Sequence, residues 1–157
     1  MATLTMSEVH ATQGQSYPLL QPVATSPATP VPSSKPAEAA VLYGTYACGP
    51  MDMVFAIVRL SATQQGCETA DYQSNQPVLG IIVNKPTGLQ AQVVSLGALK
   101  GFANLVIGAR YFLGPNGRLI TPPLTDPNML YVHPVGTAIA EDTLFVQPNW
   151  PIVRRLA

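Results

Sequence analysis

Between Asn104 and Val146 the chain alternates short β-branched and aromatic runs with glycine and proline. NLVIGARYFLGPNGRLITPP is followed by a proline-rich break and then by VHPVGTAIAEDTLFV. Runs of this length, closed by turn residues, predict β-strands and not helices. The pattern begins at Ala40. Ala40–Ala47 predicts a first strand, ended by Cys48-Gly49-Pro50, and the apolar run Met53–Leu60 predicts a buried core strand. Ser61–Gln76 is polar and predicts a surface loop with a brief helical turn around Glu68–Tyr72. Val78–Val83 and Gln90–Leu96 predict a hairpin joined by the five-residue loop Asn84–Gly88. Phe102–Ile107 follows between the bends Gly101 and Gly108. Arg110–Leu113 and Arg118–Thr121 flank Asn116-Gly117, a pair suited to consecutive positive φ angles and hence to a tight hairpin. Leu130–Val132, Val135–Ala140 and Thr143–Val146 complete the set, with Glu141-Asp142 as a further hairpin turn.

About eight short strands with frequent turns predict an all-β fold, a small β-sandwich or barrel. It carries an extended Pro-rich N-terminal arm. Residues 1–39 hold Pro18, Pro22, Pro27, Pro30, Pro32 and Pro36 among Ala, Thr, Ser and Val. Such a stretch favours polyproline II and cannot fold on its own core. It nevertheless carries Tyr17, Leu19, Leu20, Val23 and Val31, so it is expected to order on a neighbouring subunit, with a disordered linker or tail as the alternative. The chain thus divides into an arm (1–39), a β-domain (40–147) and a C-terminal tail (148–157).

Composition narrows the function. Apolar residues make up 47% of the chain but charged residues only 10%, with a formal net charge of zero. Average soluble domains carry roughly 25% charge, and a charge-poor surface tends to associate. Nucleic acid is not an expected partner, because the basic residues are scattered singly except for Arg154-Arg155. No run of 18 apolar residues predicts a membrane span, and the N-terminal residues lack the features of a secretory signal. Cys48 and Cys67 are expected as buried free thiols, with pairing in an oxidising setting as the alternative.

Candidate chemistry is sparse, and no catalytic, metal or cofactor site is expected. His10 lies in the arm and His133 in a strand, neither at metal-ligand spacing, so His133 is expected to make one structural hydrogen bond. Neither cysteine has a base and an orienting group beside it in the pattern. Gly97-Ala98-Leu99-Lys100-Gly101 lacks the spacing of a phosphate loop and predicts a β-bend. The only tryptophan, Trp150, lies between Pro148 and Pro151 in a tail not expected to continue a sheet. Trp and Arg concentrate binding energy at interfaces. Trp150, Arg154 and Arg155 therefore join Tyr17, Leu19, Leu20 and Val23 as candidate partner contacts, with Trp150 folded back on its own body as the alternative.

The stretch from Gly80 to Val146 also resembles the β-rich domain of bacteriophage head decoration proteins (cement or head-fibre proteins) and of some tail-fibre modules. Gly108, Tyr111, Leu113 and Gly117 fit a strand-turn-strand unit G-x-x-Y-x-L-x-x-x-G. Val135, Gly136, Ala138, Thr143, Leu144 and Val146 fit the following VG-x-A and T-L-x-V elements. The resemblance covers roughly residues 40–146. It implies a homotrimer on the outer capsid surface of a virion, assembled in the host cytoplasm, whose terminal arms reach major capsid protein subunits. The alternative is a tail or head-fibre module that binds a host receptor or glycan, for which Tyr43, Tyr46, Tyr72 and Tyr111 would supply an aromatic groove.

Overall fold

The computed structural model describes residues 40–63 and 65–154. The arm, with Tyr17, Leu19, Leu20 and Val23, lies outside the described residues, as does Arg155. The described body is almost wholly β, in keeping with the expected all-β class. Its strands are β1 (Leu42–Ala47), β2 (Ile57–Leu60), β3 (Cys67–Thr69), β4 (Gly80–Thr87), β5 (Gln90–Lys100), β6 (Arg110–Leu113), β7 (Leu119–Ile120), β8 (Tyr131–Val132), β9 (Pro134–Ala140), β10 (Thr143–Val146) and β11 (Ile152–Val153).

One antiparallel sheet runs in the order β3-β2-β4-β5-β10-β9-β6-β7 and curls into a half-barrel. The long strand β5 makes the curl possible. Its first part, Gln90–Leu96, pairs with both β4 and β1, whereas Gly97–Lys100 pairs with β10. The switch falls at Gly97, whose φ of +120° is open to glycine and costly for other residues. The sequence cue for a bend at Gly97–Gly101 is therefore a bend within a strand.

Burial explains why the middle strands lack polar alternation. Ile57, Ile81 and Val94 enter one apolar cluster with Tyr111, Leu113, Val135, Leu144 and Val146. Their chain neighbours Val58, Ile82 and Val93 point to the other face, into a second cluster with Cys48, Cys67 and Ala91. Successive strand residues alternate faces, so β2, β4 and β5 are apolar on both.

Several expected boundaries move. Of Met53–Leu60 only Ile57–Leu60 is strand; Phe55 takes a left-handed φ of 67°, and Met53 is 71% exposed. The Asn84–Gly88 loop is instead a continuation of β4 with register shifts, leaving a tight turn at Gly88-Leu89. The expected helical turn at Glu68–Tyr72 is β3 followed by a turn: Glu68 lies opposite Arg59 with a 3.0 Å ion pair, and Asp52 takes the Thr69 N–H. Phe102–Ile107 is a loop and not a strand. Its Phe102 and Leu105 N–H groups donate to the Asp142 and Glu141 carbonyls, and Asn104 is left-handed. The tail does enter a sheet, since β11 pairs with β8 in a separate two-stranded ribbon.

The Asn116-Gly117 hairpin forms between β6 and β7, with φ of 56° and 67° at its two central residues. It does not project as a free tip. Gly117 is buried, and a Cβ there would stand 2.8 Å from Thr69 Cγ2 and 2.9 Å from the Ile57 carbonyl. The turn is folded onto β2 and β3, so both its backbone angle and its close approach require glycine.

Candidate functional site

The only candidate contacts within the described residues are Trp150 and Arg154. Trp150 is 78% exposed, so it is not folded back on its own body. Arg154 closes β11, its N–H donating to the Leu130 carbonyl at 2.9 Å. Ile152 and Val153 are both exposed although successive strand residues face opposite ways, so β11 is uncovered on both faces. Leu130, Trp150, Ile152 and Val153 thus make an apolar region at the C-terminal ribbon.

A second apolar surface lies where the sequence pattern predicted a buried strand. Met51, Met53, Val54 and Phe55 are all exposed, Met51 at 87%. Phe55 rests against Phe102 with ring centroids 5.2 Å apart. With Leu119 and the Asn116–Arg118 turn, Met53, Val54, Phe55 and Phe102 line a shallow depression of about 380 Å³. No residue here entered the sequence-based site, because a continuous apolar run signals burial unless the backbone turn at Phe55 is known.

This loop is held by a polar device. Asp52 Oδ2 accepts from the Gly49 N–H at 2.7 Å, while Oδ1 accepts from the Thr69 N–H at 3.0 Å and its hydroxyl at 2.7 Å. Lys85 Nζ donates to the carbonyls of Gly49 at 3.0 Å and Asp52 at 2.8 Å. Carboxylate and ammonium thus tie opposite sides of one turn, which presents Met51, Met53 and Val54 outward on a fixed support.

The other polar groups are not gathered. His133 is fully buried, but neither ring nitrogen has a hydrogen-bond partner, contrary to the expected structural bond. Burial pushes its pKa below the ordinary histidine value; the nearby Ser74 and Tyr72 carbonyls and Asp71 oppose this without reaching bonding geometry. Among the described residues no three His, Cys, Asp or Glu side chains form a group that could hold a metal. No helix there is long and apolar enough to cross a membrane.

The four tyrosines are not brought together as an open groove. Tyr43 is exposed, Tyr46 packs against the second cluster and Tyr72 against the first. Tyr111 is buried, its hydroxyl accepting from the Val106 N–H at 3.0 Å. No protein-family model matches the chain, and no curated protein matches it in sequence.

Proposed function

We propose that this chain is a non-enzymatic virion structural protein that decorates a phage capsid, bridging major capsid protein subunits as a homotrimer. The observation that carries the reading is apolar display on a charge-poor body. Large side chains from Met51 to Phe55 and from Trp150 to Val153 stand exposed on a chain only 10% charged. Exposed apolar patches on a soluble body mark interaction surfaces. The Asp52–Lys85 support gives one of them a fixed shape, which lowers the ordering cost of binding.

In this reading the protein works mechanically. Three weak contacts engaged together gain avidity through effective concentration, and a three-fold clip matches a local three-fold of a shell. The arm with Tyr17, Leu19, Leu20 and Val23, together with Trp150, Arg154 and Arg155, supplies contacts to the shell. The glycan-binding alternative gains no support from the tyrosines, which are separated between surface and core.

The test is the stoichiometry of this chain in purified virions. A copy number that scales with the major capsid protein, and loss of capsid binding on deleting residues 1–39, are the expected results. A handful of copies confined to the tail, or full capsid binding by the truncated chain with Trp150→Ala added, overturns the reading.

A further inference from the structure

The two ends of the first half of the sheet meet at one point. β1 finishes at Ala47, β3 begins at Cys67, and a parallel bridge joins Ala47 to Gly66. The approach is close: a Cβ on Gly66 would collide with the Ala47 carbonyl oxygen. One residue further along each segment stand Cys48 and Cys67. Residues in a parallel pair advance in step, so these two are the next to face each other across the seam. Ala47 is exposed, whereas Cys48 and Cys67 are both buried, both free and both in the cluster with Val58, Ile82, Ala91 and Val93. Paired backbones lie about 4.8 Å apart, within the roughly 4.4–6.8 Å Cα separation that a disulfide spans.

We propose that Cys48 and Cys67 are a covalent modification site, forming an intrachain disulfide that staples β1 to β3 and closes the seam. Their proximity also shows in their electrostatics. Burial pushes the Cys67 thiol up to about 11, and the Cys48 sulfur is the next largest cause. A thiol held protonated and enclosed is a poor nucleophile. The bond therefore forms when the seam opens, or as the chain folds, and not by direct attack on the closed body.

The oxidant is a small disulfide such as oxidised glutathione. One cysteine thiolate attacks a glutathione sulfur, which breaks that S–S bond, leaves a mixed disulfide on the protein and releases one glutathione thiolate. The second cysteine thiolate attacks the protein-side sulfur, forms the Cys48–Cys67 bond and releases the second glutathione. The protein gives up two protons and two electrons, and the oxidised glutathione leaves as two thiols.

The test uses the full chain refolded in a glutathione redox buffer, alkylated and analysed by peptide mass, with melting followed with and without reductant. The expected result is a linked Cys48–Cys67 peptide with no alkylatable thiol. The oxidised form should melt about 5–10 °C higher, a gain that reductant abolishes. Cys48→Ser and Cys67→Ser should each lose this gain and carry a glutathione adduct on the remaining cysteine. Both thiols alkylated, both carrying glutathione, or a linked form that melts no higher would overturn the proposal.

Discussion

Asp52 and His133 are both carried into the interior, and two regions of the fold treat them differently. In the Cys48–Ala56 loop, Asp52 is 9% exposed and receives three hydrogen bonds, from the Gly49 N–H, the Thr69 N–H and the Thr69 hydroxyl. At the crossing between β8 and β9, His133 is fully enclosed and receives none. The difference follows from what each group can become. A carboxylate taken out of water needs donors on its oxygens, whereas an imidazole can shed its proton and stay neutral. The first region is therefore a built polar support, and the second an enclosed imidazole with polar groups nearby but none in bonding geometry. The two apolar surfaces described above differ as well, since Met51, Met53, Val54 and Phe55 stand on the polar support whereas Trp150 and β11 stand on a two-stranded ribbon.

The sharpest way to break this contrast is Asp52→Ala. It leaves three donors without their acceptor and releases the loop from β3, and should cost about 2–3 kcal/mol in urea denaturation. Hydrogen exchange should localise the loosening to residues 49–56 and 67–69. A loss near zero would mean that the loop is held by its apolar contacts, and that the two buried groups do not differ in kind.

Gly117→Ala comes next, at about 1–2 kcal/mol, because a left-handed alanine is strained and its Cβ would press on Thr69 and the Ile57 carbonyl. Gly108→Ala is the control. Its φ of 81° carries the same kind of strain, but nothing lies within 4 Å of its added Cβ. The difference between the two variants measures how firmly the β6–β7 turn is seated on β2 and β3. Equal losses would show that the seating contributes nothing.

Those glycines also show what the sequence could and could not disclose. Asn116-Gly117 and Glu141-Asp142 were legible because a tight turn is a local demand that the two residues meet themselves. The seat of Gly117 on Ile57 and Thr69 was not, since it joins segments far apart in the chain. MVFAIVRL has the composition of a core strand throughout, yet the chain turns at Phe55 and leaves Met53 and Val54 in solvent. The β3 strand was hidden in a polar stretch because its partners, Arg59 and Asp52, lie outside that stretch. Of the expected contacts, Trp150 stood out in the sequence by its place between Pro148 and Pro151, but that place left open whether it is exposed or folded back. The Met51–Phe55 surface carried no such signal, because an apolar run looks the same whether a later turn buries it or exposes it.

The smallest effect at neutral pH belongs to His133, where the two regions can be told apart by titration. Its folded pKa lies below the ordinary value of 6.5, with burial the leading cause, the Ser74 and Tyr72 carbonyls and Asp71 opposing, and Arg59 assisting. Below pH 6.5 the unfolded chain takes up a proton that the folded body refuses, so the unfolded state binds more protons and stability falls as pH falls. The contribution is complete above 6.5, declines as pH drops through the folded value, and levels off once both states are protonated. Melting temperatures between pH 7.5 and 5 should show this slope in the native chain, and a reduced slope in His133→Phe, in which nothing titrates at that position. His133→Gln separates charge from packing, since it stays neutral yet keeps a polar group in the same enclosure. An unchanged slope in both variants would show that His133 does not carry the acid sensitivity, and the contrast between the two regions would fail.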